Sequence, residues 1–290
     1  MNTISPGITG QALRLARIAV RFGRMPRGQG EFRPGLLGRL GRFASEFLVR
    51  HRAWERRFVS EQLRRWRKTR SIRCVGRLRR GLNIQMHDRE LDHILSVLEV
   101  KRPCAMLVFG MGNDSILWFE ANRGGQTLFV EDDGYWDRVI RERHPSLRSI
   151  RVLYGTRAAD WRDDIGRAPA LLLPAPVGNQ CWDIVLVDGP AAYKADKPGR
   201  VQSVHAARRL VAQNGAILVH DCDREAERAI CGSVLGHMAL AGQVHSLRHY
   251  IRRPEAPRMA EATTRDGAGS RDAGAWPAAA FDGLTSDPRP

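Results

Sequence analysis

From residue 105 to residue 219 one pattern recurs: a short run of consecutive apolar positions, then a span with helical spacing. The apolar runs are 105–109, 127–130, 150–154, 184–187 and 216–219, and a sixth strand is expected near 244–251. A strand that is apolar on both faces must be covered on both faces, so such runs alternating with helices predict a mostly parallel sheet between two helical layers. Right-handed crossovers then give a Rossmann-like, doubly wound α/β fold. Ahead of the first run, Leu91, Ile94, Leu95 and Leu98 make one face of a helix. Arg102-Pro103 ends it, because proline disfavours helical geometry at the residue before it. Further upstream, Phe43, Phe47, Trp54, Phe58 and Leu63 fall near helical spacing with arginines between them, predicting a basic amphipathic helix within 36–80. A shorter one is expected over 12–22. Residues 255–290 show little periodicity and are rich in Ala, Gly, Pro, Asp and Arg, the composition of a disordered tail. The expected organisation is a basic, partly helical arm over 1–84, an α/β domain over 85–254 and a tail over 255–290.

Charge sharpens this division. The formal net charge of the 290 residues is +16, yet residues 1–80 alone carry 20 Arg and one Lys against four Glu. The rest of the chain is therefore close to neutral, and the basic character belongs to the arm. Such an arm could lie on an anionic membrane surface, on nucleic acid or on its own domain, with the membrane favoured over nucleic acid. The five cysteines, Cys74, Cys104, Cys181, Cys222 and Cys231, are odd in number and contain no C-x-x-C pair. That argues against a zinc ribbon or a disulfide framework and fits buried thiols in a reducing compartment. The chain holds no run of eighteen apolar residues and no short apolar core of a secretion signal at its start. A cytoplasmic protein, peripheral to the membrane through the arm, is the expectation.

The candidate chemistry sits where the apolar runs end. The first leads into Phe109-Gly110-Met111-Gly112-Asn113-Asp114-Ser115, a turn in which glycines let the backbone approach a ligand closely. Ser115 stands where the dinucleotide fingerprint has its third glycine, which weakens the case for NAD. The second run ends in Glu131-Asp132-Asp133, and an acid there suits hydrogen bonding to ribose hydroxyls. G-x-G plus this acid describes a nucleoside-binding half-fold, for S-adenosylmethionine or for NAD. Gly110, Gly112, Asn113, Asp114, Ser115, Glu131, Asp132 and Asp188 are the candidate cofactor contacts. The fourth and fifth runs end in Asp188 and in His220-Asp221-Cys222-Asp223, at the strand ends where open α/β sheets bind ligands. Asp188, His220 and Asp221 can converge there, either as a general base or as oxygen and imidazole ligands of a divalent metal. Asp223 reads as a cap for a helix starting near Arg224. Between these strands, Tyr193, Lys194, Lys197 and Arg200 lie in a loop whose cations could hold an anionic substrate group.

Taken in order, these blocks resemble a known family. Pro103 to Ser115 with Trp118, Gly124 to Asp133, Trp182 to Pro190, Pro198-Gly199-Arg200, and Val219 to Arg224 with Glu227 are similar to the motifs of the glucuronoxylan 4-O-methyltransferase family. That family takes in arabinogalactan methyltransferases and irregular-xylem proteins of polysaccharide biosynthesis. The resemblance covers about 100–250. It implies a methyltransferase using S-adenosylmethionine and acting on a sugar hydroxyl, typically O4 of a glucuronic acid side chain, so that the partner is a saccharide or glycan. It implies cofactor contacts at Gly110, Gly112, Asp114, Glu131 and Asp188, and a catalytic end at His220 and Asp221. A uronate carboxylate would then fit the cations at Lys194, Lys197 and Arg200. Two departures stand out: Ala192 precedes Tyr193 where the family usually has glycine, and a basic arm replaces the membrane anchor of plant members. A nucleic-acid methyltransferase or binder that uses the arm, and a non-catalytic scaffold of the same fold, are the competing expectations.

Overall fold

The computed structural model describes the backbone of residues 34–254 and the side chains of residues 51–254. The helix expected over 12–22, the side chains of Phe43 and Phe47 and the tail over 255–290 lie outside the described residues. Three helices come first: α1 (Pro34–Thr69), α2 (Ile72–Leu82) and α3 (Asp88–Lys101). The alternating part follows as β1 (Ala105–Phe109), α4 (Ser115–Ala121), β2 (Gln126–Glu131), α5 (Gly134–Arg143) and β3 (Arg148–Arg151). After a 3₁₀ turn (Ala158–Asp160) and two short helices, α6 (Trp161–Asp164) and α7 (Ala175–Gly178), come β4 (Trp182–Val187), α8 (Val201–Leu210), β5 (Val211–Val219) and α9 (Glu225–Leu235). The chain then closes with β6 (Ala239–Val244) and β7 (Leu247–Ile251).

The strands form one sheet in the order β3-β2-β1-β4-β5-β7-β6. The first five are parallel, as their continuous apolar runs require, while β7 runs antiparallel between β5 and β6. Alternation along each strand feeds two cores. In β1, Met106 and Val108 enter the layer shared with α1 to α4, and Leu107 and Phe109 enter the layer under α8 and α9. The strand order reverses between β1 and β4. In such sheets this switch point opens a crevice at the carboxyl ends of the strands, and it locates the site described below.

Five expectations change. The single strand near 244–251 is an antiparallel hairpin, turned by His245 in a left-handed conformation (φ 52°) and Ser246. The third strand starts earlier than its apolar run, at Arg148, and ends at Arg151. The arm does not stand apart from the domain at residue 84: Val59, Leu63 and Trp66 of α1, and Val75, Leu78 and Leu82 of α2, are buried in the same core as β1 and α3. The buried face of α1 also differs from the one drawn through Trp54 and Phe58. It runs through Glu55, Val59, Gln62, Leu63 and Trp66, while Trp54 is 50% exposed. Two polar residues on that stripe, Glu55 and Gln62, hid it, and Glu55 is inside because it pairs with Arg143. Finally, Asp223 caps nothing. The exposed side chain precedes Arg224, the residue at the N-cap of α9, which itself makes no side-chain cap bond. Of the five cysteines four are buried and Cys181 is exposed.

Candidate active site

A cavity of about 300 Å³ opens at the switch point. Its walls are the turns that follow β1, β2, β4 and β5, with 83–86 after α2 closing one side. The β1 turn depends on glycine. Gly110 has φ +103°, and a Cβ there would meet the backbone of Gly189 at 3.0 Å. Close approach of these two glycines brings the ends of β1 and β4 together. The turn is then locked by side chains. Ser115, fully buried, accepts from the Gly112 amide (3.0 Å). Asp114 accepts from the Trp118 indole N–H (2.7 Å) and does not cap α4. Asn113 is held from two sides, donating to the Asn83 carbonyl (3.1 Å) and accepting from Arg143 Nη1 (3.2 Å).

Glu131 sits at the end of β2 as expected, and its carboxylate faces inward. Oε2 accepts from the Met111 amide (2.6 Å), and Oε1 accepts from the amides of Asp132 (3.0 Å) and Asp133 (2.7 Å). Burial nevertheless pushes its carboxyl up to about 7. Asp114 is pushed up to about 6, by burial first and by the neighbouring charge of Asp188 second. Two acids crowded in one crevice invite a cation between them. That demand, the glycine-walled turn and the acid at the end of β2 fit the ammonium and ribose of an amino-acid nucleoside. Asp132 also lines the cavity, and burial raises its carboxyl as well.

Asp188, His220 and Asp221 do converge. His220 Nδ1–H donates to Asp188 Oδ1 (2.8 Å) and lies 3.6 Å from Asp221 Oδ1. On the other side, His220 Nε2 is 3.3 Å from Glu90 Oε2. Burial alone would lower the histidine, but the bonds to Asp188 and Glu90 push it up to about 10, so at neutral pH it is an imidazolium. Asp221 occupies a left-handed backbone conformation (φ 62°), pinned by Arg200 Nη2 (2.6 Å) and Arg224 Nη1 (3.1 Å) on Oδ2. Both imidazole nitrogens face carboxylates, and guanidinium groups already occupy Asp221. The three residues so arranged do not fit a resident divalent ion, although their ligand atoms lie within 4.8 Å of one another. His220 therefore turns neither ring nitrogen freely toward the cavity. Asp188 remains: its Oδ2 has no partner among the described residues, and its side chain is 29% exposed toward the cavity.

The four loop residues expected to hold substrate separate. Tyr193 and Lys197 line the cavity, while Lys194 is exposed beside the Tyr193 ring and does not. Arg200 is no loop cation. It is 4% exposed and donates to the carbonyls of His220 and Asp188 and to Asp221 Oδ2, tying the ends of β4 and β5 together. Sequence reasoning missed Glu90, 1% exposed, which also accepts from the Ser246 amide (2.9 Å) and the His87 amide (2.8 Å). The available signal was its position on the apolar face of α3 beside Leu91, Ile94 and Leu98. Trp136 and Arg224, both lining the cavity, were missed too.

The imidazolium makes a pH prediction. A histidine whose folded value is raised from 6.5 to about 10 contributes stability that is fully present below 6.5 and is lost as pH rises toward 10. The stability difference between wild type and His220→Gln should therefore shrink across that window in thermal melts. A difference constant from pH 6 to 10 would contradict the protonated assignment.

Sheet order, an antiparallel β7 and acids at the ends of β2, β4 and β5 around a glycine turn define a Rossmann-like methyltransferase. The chain belongs to the IRX15/IRX15L/GXM family, whose model matches residues 89–170 and 169–250. It is 32% identical over 222 residues to glucuronoxylan 4-O-methyltransferase 1 of Arabidopsis thaliana, covering 63% of this chain and 79% of that one. Arabinogalactan O-methyltransferase 2 of the same plant is 28% identical over 211 residues, covering 63% and 71%. Among solved structures, a methyltransferase from Pyrococcus furiosus matches with a TM-score of 0.39 and 15% identity over 60% of this chain and 90% of that one.

Proposed function

We propose that this protein transfers a methyl group from S-adenosylmethionine to a ring hydroxyl of a uronate-bearing saccharide. The observation that carries the reading is the cluster at the ends of β4 and β5: one carboxylate, Asp188, with a free oxygen in the cavity and a fixed imidazolium behind it. The named activities of the relatives support the acceptor class. When bound, the cofactor supplies a methyl group on a sulfonium, open to in-line attack. Glu131 and Asp132 would take the ribose, the Gly110 and Gly112 backbone would pass close to the cofactor, and Asp114 would face its ammonium. Asp188 Oδ2 accepts the acceptor hydroxyl's proton as the new C–O bond forms. The hydroxyl proton grows strongly acidic at that moment, so it passes readily to a carboxylate placed beside it. His220 and Arg200 hold Asp188 in place, and alignment of the hydroxyl supplies much of the rate. Lys197, and Arg224 through the donors its bond to Asp221 does not use, are the cavity cations that would meet a uronate carboxylate.

Calorimetric titration with S-adenosylmethionine tests the cofactor half. Wild type should bind one equivalent, and Glu131→Ala should weaken binding at least tenfold, since two ribose hydrogen bonds contribute about 1 kcal/mol each or more. No heat of binding in the wild type would favour a non-catalytic scaffold instead.

A further inference from the structure

The cationic faces of α1 and α2 have no part in the reaction described above. On α2, Cys74, Val75, Leu78 and Leu82 face the core, and Arg73, Arg77 and Arg80 are exposed on the opposite side at spacings of four and three. At 1.5 Å per residue they make a row about 10 Å long. None of the three makes an ion pair among the described residues, whereas neighbouring Arg79 is paired with Asp88 (2.8 Å). The row points along the chain into the site: α2 ends at Leu82, and Asn83, Ile84, Gln85 and Met86 line the cavity.

We propose that this arginine row is a docking track for an acidic polysaccharide, holding uronate groups of the polymer while another uronate sits in the cavity. The inference rests on the uronate acceptor proposed above. Two observations favour this occupant over a lipid surface. An interfacial helix needs an apolar face to insert, but on α2, which carries the row, Cys74, Val75, Leu78 and Leu82 are buried in the core. On these two helices the large apolar residues exposed are Trp54 (50%) and Ile72 (42%), among the described residues. An elongated polyanion, by contrast, needs only spaced cations beside the cavity, and it gains by binding at several points of one chain.

The test uses the full chain and the variant Arg73→Gln/Arg77→Gln/Arg80→Gln, with Arg77→Gln alone as a milder second variant. Binding is measured without cofactor to a uronate-bearing xylan, to the same polymer with its carboxyls reduced, to anionic phospholipid vesicles and to RNA. Wild type should bind the acidic polymer with salt-sensitive affinity and the reduced polymer at least tenfold more weakly. The triple variant should lose at least tenfold in affinity at an unchanged Tm, and the single variant should lose part of that. In turnover, KM for the polymer should rise while KM and kcat for a short uronate acceptor hold. Equal polymer binding by triple variant and wild type, or a row that serves vesicles or RNA but not the polymer, overturns the inference. Because binding is read without turnover, failure of methyl transfer is a separate result. Transfer to a short acceptor with no row-dependent polymer binding sinks the docking track alone.

Discussion

Asp188→Asn should reduce turnover by about 10²–10⁴-fold, the range for removing a positioned general base, while S-adenosylmethionine still binds within about tenfold of wild type. The substitution keeps the shape and the hydrogen-bonding capacity toward His220 Nδ1 but removes the proton acceptor from the cavity. It should also leave the fold intact, because the carbonyl of Asp188, not its carboxylate, carries the short contact with Arg200 (2.8 Å). His220→Gln is the informative companion. With an imidazolium that positions Asp188 and does not itself take the proton, its kcat should fall less than that of Asp188→Asn. Single-turnover assays with labelled cofactor check both. Full activity in Asp188→Asn, or a larger loss in His220→Gln, would move the proton transfer elsewhere.

The second large effect lies far from the chemistry. Glu55, fully buried on α1, pairs with Arg143 through two hydrogen bonds and stands 3.3 Å from His144 Nε2 and 3.4 Å from His51 Nδ1. Arg143 in turn donates to Asn113 in the cofactor turn. Removing one partner of a buried ion pair leaves the other charge unmatched, which costs about 3–5 kcal/mol. Glu55→Ala should therefore lower Tm by roughly 10 °C, at about 2–4 °C per kcal/mol for a domain of this size. Cofactor affinity should fall as well, because Arg143 is freed from its place beside Asn113. A loss below about 1 kcal/mol in denaturant unfolding would mean that α1 is an appendage after all.

Glu55 also shows where the sequence stops being readable. β1, β2, β4 and β5 were legible because each holds a run of apolar residues buried on both faces, and the acids at the ends of β2, β4 and β5 followed from chain order; β3, with only Ile150 apolar, was placed late. The hairpin was not, because no position of β6 is buried and its short apolar run, Ala239 to Ala241, is broken by Gly242 and Gln243, and its turn uses His245 and Ser246 without a glycine. The buried face of α1 contains Glu55 and Gln62, so hydrophobicity alone found only part of it: Leu63 is buried and Phe58 packs against the core, but Trp54 is exposed. Arg200 was read as a substrate-holding loop cation because it follows Lys194 and Lys197 in the same loop. Its burial comes from two strand ends that converge only in the folded chain. Glu90 was hidden for the same reason: its partners, His220 and Ser246, lie 130 and 156 residues away.

The central claim is that Asp188, backed by an imidazolium, directs a methyl group onto a uronate ring hydroxyl. The most direct measurement is transfer of an isotope-labelled methyl group from S-adenosylmethionine to a short xylan fragment bearing glucuronate, with the site of the label read by NMR. Label on a ring oxygen of the uronate, appearing about 10²–10⁴-fold more slowly in Asp188→Asn, is the predicted result. Label on the carboxylate as an ester, or no transfer to any uronate acceptor by protein that binds the cofactor, would contradict it.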